Sequence, residues 1–215
     1  MLIIGAKGFA KEVLEVVHQL NQLENLVFYD DVNNEGPEKL FGQFPILKTI
    51  KEASNYFKTV DNRFTIGIGN PILRKQLYYK FTALGGKYIS TISPLATIGS
   101  YGVQIGIGTN VLSGAVFSNS TTIGVGCIVY YNSIITHNCE IGDFVEISPS
   151  GTILGRCKIG SYTQIGANAT ILPDVKIGAN VIVAAGAVVT QDMPDNCMVA
   201  GIPAVIKKEL TPLAF

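Results

Sequence analysis

A six-residue repeat decides the fold, and it is clearest in residues 135–159, which read ITHNCEIGDFVEISPSGTILGRCKI. Isoleucine returns at every sixth position of this stretch, from Ile135 through Ile147 to Ile159. An α-helix, with about 3.6 residues per turn, would scatter these side chains around its surface. The repeat therefore excludes a helix and predicts short strands joined by regular bends.

The repeat continues far outside this stretch. Fifteen successive sixth positions are apolar: Ile105, Val111, Phe117, Ile123, Val129, Ile135, Ile141, Ile147, Ile153, Ile159, Ile165, Ile171, Ile177, Val183 and Val189. A small residue follows each of the first fourteen by four positions, and Ile-Gly dipeptides recur every eighteen residues. Three hexads therefore make one coil, and the pattern predicts a triangular parallel β-helix with the aliphatic residues stacked inside it. Cys127, Cys139 and Cys157 fall in the small-residue column, where a thiol fills space as a reduced, compact apolar group.

Charge divides the chain into parts. Residues 1–87 hold twenty of the thirty-two charged residues, whereas residues 88–139 hold none. We predict a nucleotide-binding domain over residues 1–87, a β-helix over residues 88–190, and a tail over residues 191–215 that leaves the prism after Val189.

The charge-free stretch predicts an oligomer. One column of aliphatic side chains does not outweigh the backbone entropy lost on folding, so burial of an outer face is expected to contribute. The alternative is that uncharged polar residues such as Asn110, Asn119 and Ser120 simply face water.

Composition excludes several classes of protein. Sixteen basic residues balance sixteen acidic ones, so a nucleic-acid partner is not expected. No apolar run is long enough to span a membrane and the start lacks a basic leader, which places the protein in the cytoplasm. Two histidines and no C-x-x-C pair leave no ligand set for a zinc site, so no metal is expected.

The first domain reads as half of a Rossmann unit. Residues 2–4 form a buried strand, Gly5 to Gly8 a tight turn, residues 9–20 an amphipathic helix, and residues 27–29 a second strand that ends at Asp30 and Asp31. Such glycines let a backbone approach phosphate, and an acid after the second strand can bind a ribose or a base. Without a third glycine, a plain structural turn remains the alternative.

A third strand over residues 64–69 leads into another helix. Asn70 caps this helix, Pro71 takes its first position, and Arg74 follows one turn later, so an anion could bind there. The alternative is that Arg74 belongs to a solvated basic face.

Together these motifs resemble the bacterial nucleotide-sugar acetyltransferases. The matching segments are Ile4-Gly5-Ala6-Lys7-Gly8-Phe9-Ala10, Asp30-Asp31, Gly67-Ile68-Gly69-Asn70-Pro71-x-x-Arg74 and Thr136-His137-Asn138-Cys139-Glu140-Ile141-Gly142-Asp143-Phe144. The resemblance implies an α/β Rossmann-like domain followed by a left-handed parallel β-helix, assembled as a homotrimer. It also implies acetyl transfer from acetyl-CoA to the 4-amino group of a 4-amino-4,6-dideoxy sugar carried on UDP, dTDP or GDP.

The resemblance further implies two sets of binding residues. The nucleotide sugar would be held by Gly5, Lys7, Gly8, Asp30, Asp31, Gly69, Asn70 and Arg74. Acetyl-CoA would lie between subunits against Gly155, Ala185, Gly186, Gly201, Pro203 and Ala204. Because Val205 stands where many members of the family carry a basic residue, Lys207 or Lys208 would have to reach a CoA phosphate.

His137 is the predicted general base. It follows Ile135 by two positions, on the outer surface near a bend, and removing a proton from an attacking amine suits an imidazole. The backbone N–H of Gly155 could stabilise the oxyanion. Asn138 stands where the family commonly has an acid, so it could fix the tautomer of His137 with less electrostatic help. Glu146 aligns with a second histidine of the family; it could orient His137 from a neighbouring subunit, or it could be a solvated surface acid.

Three other functions are compared with the same residues. A zinc site of the γ-class carbonic anhydrases, which share this prism, needs three histidines and is excluded. O-acetylation of a sialic acid needs the same kind of base and stays open. A non-catalytic nucleotide- and CoA-binding scaffold also stays open, because the neighbourhood of His137 departs from the family pattern.

Overall fold

The computed structural model describes residues 1–33 and 35–214, which divide into two units between Ser93 and Pro94. The elements of the first unit are β1 Leu2–Ile4, α1 Gly8–Gln19, β2 Val27–Tyr29, β3 Lys39–Leu40, β4 Phe44–Leu47, α2 Ile50–Thr59, β5 Arg63–Ile66, α3 Pro71–Ala83, β6 Lys87–Tyr88 and β7 Thr91–Ile92. Sequence analysis begins the second domain at residue 88, whereas the structure groups β6 and β7 with the first unit.

The first unit is an α/β layer built on one sheet with the strand order β3-β4-β2-β1-β5-β6. Strand β1 is central and pairs in parallel with both β2 and β5, so Ile3 lies between Phe28 and Thr65. The predicted strands and the helix after the glycine turn are therefore present. At the start of α3, the Asn70 side chain accepts a hydrogen bond of 2.9 Å from the Leu73 N–H, as predicted for a cap.

The second unit is a stack of two-residue strands followed by a terminal hairpin. They are β8 Thr97–Ile98, β9 Gln104–Ile105, β10 Asn110–Val111, β11 Val116–Phe117, β12 Thr122–Ile123, β13 Ile128–Val129, β14 Ile134–Ile135, β15 Glu140–Ile141, β16 Glu146–Ile147, β17 Thr152–Ile153, β18 Lys158–Ile159, β19 Gln164–Ile165, β20 Thr170–Ile171, β21 Lys176–Ile177, β22 Ile182–Val183, β23 Val188–Val189, β24 Cys197–Gly201 and β25 Ala204–Glu209.

These strands form three parallel sheets, which we call faces 1, 2 and 3 in the order in which the chain visits them. Face 1 runs from β8 through β11, β14, β17 and β20 to β23. Face 2 runs from β9 through β12, β15 and β18 to β21, and face 3 runs from β10 through β13, β16, β19 and β22 to β24, to which β25 is added antiparallel. Ile135 pairs with Phe117 on one side and Ile153 on the other, an offset of eighteen residues that confirms the triangular coil.

The interior of the prism is filled by the two predicted columns of side chains, the repeating apolar residues and the small residues four positions after them. Of the fifteen repeating apolar residues, only Ile105 is half-buried and the other fourteen are buried. The small residues are all buried, and the polar ones donate to a carbonyl on the next coil. The Cys139 Sγ, for example, lies 3.2 Å from the Leu154 carbonyl and the Cys157 Sγ lies 3.0 Å from that of Leu172. The thiols therefore satisfy backbone acceptors as well as filling space.

The prediction that the chain leaves the prism after Val189 is wrong. Met193 bridges to Ile177, and β24 pairs with β22 so that Val199 lies beside Val183, an offset of sixteen residues. Carboxylates replace part of the lost ladder, because Asp192 accepts from the Lys176 N–H at 2.8 Å and Asp195 accepts from the Ala179 N–H at 2.7 Å. The wall thus continues after the hexads end.

We expect Ile153→Ala to lower the free energy of unfolding by about 2–5 kcal/mol, because its side chain is fully buried and a cavity would remain. Chemical denaturation measures the change. The matched control is Thr152→Ala, which truncates the outward-facing neighbour on the same strand and should cost less than about 1 kcal/mol. Equal losses in the two variants would contradict the inward orientation of Ile153.

Candidate active site

A cavity of about 260 Å³ opens in the first unit where β1, β2 and β5 end. It is lined by Ile4, Gly5, Ala6, Lys7, Tyr29, Asp30, Asp31, Val32, Asn33, Gly67, Ile68, Leu73 and Leu77. Ligands of open α/β sheets bind at the carboxyl ends of the strands, where this cavity lies.

Two glycines bring the backbone close together beside the cavity. Gly5 has a φ of 100°, and a Cβ on it would lie 2.9 Å from the Gly67 carbonyl oxygen. A Cβ on Gly67 would lie 2.6 Å from the Ala10 Cα atom. Helix α1 therefore packs directly on the end of β5. Its first turn, whose N–H groups favour anions, adjoins Lys7 of the cavity wall.

The two acids after β2, Asp30 and Asp31, have different hydrogen-bond partners. The Asp30 carboxylate accepts hydrogen bonds from the Val32 N–H at 3.1 Å and from the Asn33 N–H and side-chain amide. Burial would raise the pKa of Asp30, but these hydrogen bonds outweigh burial and lower it. Asp30 thus shapes the loop that forms the cavity wall.

Asp31 is exposed and receives two donors. The Tyr29 hydroxyl donates to its carboxylate at 2.8 Å, and the Lys80 ammonium lies 3.5 Å from the same oxygen. Burial, and then the hydrogen bond to Asp31, raise the pKa of Tyr29, so this hydroxyl keeps its proton. Asp31 therefore presents its second oxygen to any N–H or O–H donor in the cavity.

Other predicted nucleotide-binding residues lie off this cavity. Gly8, Gly69, Asn70 and Arg74 do not line it. Arg74 is fully buried and its guanidinium donates to the Gly69 carbonyl, so it is not on a solvated basic face. Sequence analysis misses the apolar walls from Ile68, Leu73 and Leu77, whose spacing looks like that of ordinary core residues.

A separate candidate site in the second unit is His137, at the corner where face 1 turns into face 2. Its imidazole is exposed, and Nδ1 lies 2.9 Å from the Asn138 Oδ1 atom. Because that oxygen can only accept, the contact places the proton on Nδ1 and leaves a lone pair on Nε2. Asn138 has a φ of 60°, in the left-handed region that asparagine tolerates, which turns its side chain back to the ring.

Gly155 occupies the same corner one coil further on. It is buried, and none of the described residues accepts a hydrogen bond from its N–H. A Cβ placed on Gly155 would lie 2.7 Å from the His137 Nε2 atom, so the two groups are adjacent. The corner therefore combines a basic nitrogen with an unused backbone donor.

Glu146 does not reach this corner within one chain. It lies on β16 of face 3, the face opposite the corner of His137, and the Ser148 hydroxyl donates to it at 3.4 Å. Any contact between Glu146 and an imidazole of this kind requires a second copy of the chain.

The predicted CoA contacts are also spread over the prism. Gly155 is at the corner between faces 1 and 2, whereas Ala185 and Gly186 are exposed at the corner between faces 3 and 1. Gly201 and Pro203 are exposed in the turn of the β24–β25 hairpin, Ala204 is buried, and Lys207 is exposed on β25.

Faces 1 and 2 differ in polarity. The outward residues of face 1 are Thr97, Val116, Ile134, Thr152, Thr170 and Val188, without a charge among them. Face 2 presents Glu140 and Lys158 as an ion pair at 2.9 Å, with Lys176 beside them. In the single chain, Asn119 and Ser120 are exposed and Asn110 is buried.

Residues 1–33 and 35–214 contain no helix that is both long and apolar enough to cross a membrane. The same residues contain no group of three or more His, Cys, Asp or Glu side chains arranged to hold a metal ion.

A triangular β-helix of hexads that follows an α/β unit is the architecture of the hexapeptide-repeat acyltransferases. Family comparison supports this: residues 1–81 match the PglD N-terminal domain, and residues 156–191 match the bacterial transferase hexapeptide (six repeats). No curated protein matches the chain.

Solved structures match over almost the whole chain. The acetyltransferase domain of PglB from Neisseria gonorrhoeae is 32% identical, with 96% of this chain and 98% of that one covered and a TM-score of 0.88. Perosamine N-acetyltransferase from Caulobacter crescentus, in complex with CoA and GDP-perosamine, is 27% identical, with 97% and 96% covered and a TM-score of 0.90. WeeI from Acinetobacter baumannii is 28% identical, with 96% and 98% covered and a TM-score of 0.76. The chain belongs to the bacterial nucleotide-sugar acetyltransferase family, and its β-helix is left-handed, as the sequence resemblance implies.

Proposed function

We propose that the protein transfers the acetyl group of acetyl-CoA to the 4-amino group of a nucleotide-linked 4-amino-4,6-dideoxy sugar, with His137 as general base. This proposal rests on the corner between faces 1 and 2. There the contact with Asn138 leaves a lone pair on Nε2 of His137, beside the unused N–H of Gly155. The CoA and GDP-perosamine bound by the Caulobacter crescentus enzyme support the same pair of substrates here.

The reaction needs one proton to move and one oxyanion to be held. Nε2 of His137 takes a proton from the amine while the nitrogen attacks the thioester carbonyl, forming the C–N bond. The N–H of Gly155 donates to the developing oxyanion. When the C–S bond breaks, the imidazolium returns its proton to the CoA thiolate, so the base is restored.

We further propose that the active enzyme is a homotrimer in which face 1 of one copy meets face 3 of the next. Face 1 carries no charge, and its central residues Val116 and Ile134 are 36% and 40% exposed in the single chain. Such packing would bring Glu146 of one copy towards His137 of another. It would also bring together acetyl-CoA contacts that lie on separate corners, with Lys207 reaching a CoA phosphate.

The first unit would supply nucleotide recognition. Asp31 offers a carboxylate oxygen to a ribose or base donor, while Lys7 and the first turn of α1 would receive the diphosphate. The four other predicted nucleotide-binding residues do not line the cavity, and we propose that they hold the backbone around it in place; they are Gly8, Gly69, Asn70 and Arg74. We also keep the cytoplasm as the proposed location, which four free cysteines support.

We expect Asp31→Ala to raise the KM for the nucleotide sugar by about 10–100-fold, because a hydrogen bond to a charged group contributes roughly 1.5–3 kcal/mol. The KM for acetyl-CoA should stay unchanged. Steady-state kinetics with each substrate varied in turn measure both. Glu38→Ala, which removes an exposed acid that lines neither this cavity nor the adjoining pocket, is the control, and an equal effect in both variants would contradict the role of Asp31.

The proposed function is tested by ligand screening followed by an acetylation assay. Thermal shift with UDP, dTDP, GDP and CoA should show stabilisation by CoA and by one nucleotide, since ligands of the native state raise stability by mass action. The protein should then release CoA thiol in the presence of a 4-amino sugar on that nucleotide. Turnover of a sialic acid alone would replace N-acetylation by O-acetylation. CoA binding without turnover of either acceptor would favour the scaffold.

A further inference from the structure

One glycine of the prism stands where the repeat otherwise carries a side chain. The position two residues after each of the first fourteen apolar residues is the outer corner of the coil. Its fourteen occupants are Ile107, Ser113, Asn119, Val125, Tyr131, His137, Asp143, Pro149, Gly155, Ser161, Ala167, Pro173, Ala179 and Ala185. Gly155 is the only glycine among them.

The backbone at this corner does not demand a glycine. Proline, whose φ is fixed near −65°, occupies the equivalent position at Pro149 and Pro173. Alanine occupies it at Ala167 and Ala179. Gly155 is also absent from the residues of left-handed φ, unlike Gly186 at 68°.

The space above Gly155 is filled by one side chain. A Cβ on this residue would lie 2.6 Å from Cε1, 2.7 Å from Nε2 and 3.3 Å from Nδ1 of His137, and these ring atoms are its three nearest neighbours. Most glycines in the Ile-Gly dipeptides differ in this respect. A Cβ on Gly106, for example, would lie 2.5 Å from the backbone carbonyl carbon of Gly124. Those glycines are needed by the backbone of the next coil, whereas Gly155 is needed by the imidazole.

We propose that Gly155 is a positioning residue whose missing side chain forms the seat of the His137 ring. The ring lies against the Gly155 backbone while Asn138 holds Nδ1, so two contacts fix the direction in which Nε2 points. This role differs from donation by the Gly155 N–H, because it depends on the absent Cβ. Its effect on turnover rests on the proposed function; its effect on the ring does not.

The test is Gly155→Ala, which adds one methyl group at the seat. NMR of the imidazole nitrogens is a direct readout, because the chain has only two histidines and His18 on α1 serves as an internal reference. We expect the His137 signals to shift and those of His18 to stay. We expect kcat to fall by about 10²-fold, the usual effect of a small misplacement of a reacting group. Because Gly155 is also a proposed acetyl-CoA contact, kcat is measured at saturating acetyl-CoA, so that a change in KM does not enter the comparison.

A second variant separates the seat from a general packing defect. In a His137→Ala background the methyl group has room, so adding Gly155→Ala should leave the melting temperature unchanged. A fall in melting temperature in that background would overturn the proposal, because the methyl group would then be colliding with the backbone.

The remaining outcomes are also decisive. Unchanged His137 signals in Gly155→Ala overturn the seat, whatever happens to kcat or KM. Shifted signals together with wild-type kcat support the seat and show that turnover tolerates the shift, whereas the general base itself is refuted only by activity in His137→Ala. Failure of this inference and failure of the proposed function are therefore distinguishable.

Discussion

His137→Ala should lower kcat by about 10²–10⁴-fold, the usual contribution of a positioned acid or base. The substitution removes the proton acceptor beside Gly155, so the amine would have to lose its proton to water during the attack on the thioester. Release of CoA thiol at saturating concentrations of both substrates measures the loss. The KM values should change little, because the imidazole acts on the reacting atoms and not on the nucleotide or the CoA handle.

The other histidine of the chain provides the control. His18 is exposed on α1, and His18→Ala should retain wild-type kcat. His137→Gln tests the chemistry more closely, because it keeps a polar side chain but cannot accept the proton; it should lose as much activity as His137→Ala. Near-wild-type turnover in either His137 variant would refute the general base.

The second large effect is expected from Ile134→Arg. Ile134 faces outward from the middle of face 1, with Val116 and Thr152 paired on either side, and it is 40% exposed in the single chain. A charge there would be desolvated without a partner if this face is buried between copies. The variant should sediment as a monomer. It should also lose activity about as severely as His137→Ala, because the proposed site needs groups from two copies.

Gln104→Arg is the matched control, since it adds the same charge to the exposed side of face 2. It should retain both the trimer and wild-type turnover. Circular dichroism of both variants checks that the prism stays folded. A wild-type protein that sediments only as a monomer with full activity would contradict the trimer and the shared site together.

The prism could be predicted because its sequence repeat has a short, constant period. Each inward residue sees the same surroundings eighteen positions away, so a repeat in the sequence becomes a stack in space. The end of the prism was not predictable for the same reason. After Val189 the hexad disappears, yet Asp192 and Asp195 side chains bond to the coil before them and keep the wall in place. A carboxylate that replaces a ladder hydrogen bond leaves no periodic signal.

The first unit shows where short-range signals are enough and where they are not. Asn70 and Pro71 begin α3 as predicted, because capping depends on residues three positions apart. Helix α2 was not among the predicted elements, although Thr49 and Glu52 form a capping box at its start. Arg74 illustrates the opposite limit: its acceptor is a carbonyl of the preceding turn, and nothing in its neighbours predicts that the guanidinium is buried.

The candidate site divides in the same way. The contact between His137 and Asn138 joins neighbours in sequence and could be inferred from the motif. In the cavity, Gly5, Lys7, Asp30 and Asp31 lie where the glycine turn and the strand end predict them. The different hydrogen bonds of Asp30 and Asp31 depend on the conformation of the loop to Asn33, which the sequence pattern does not predict. Likewise, only the coil geometry shows that Gly155 accommodates a ring eighteen residues away.

The most direct test of the account is a crystal structure of the protein with CoA and a nucleotide-linked 4-amino sugar. The account predicts two copies of the chain around each ligand pair, with Nε2 of His137 within about 2.6–3.2 Å of the sugar nitrogen. An imidazole that points into open solvent, away from any groove between copies, would contradict it.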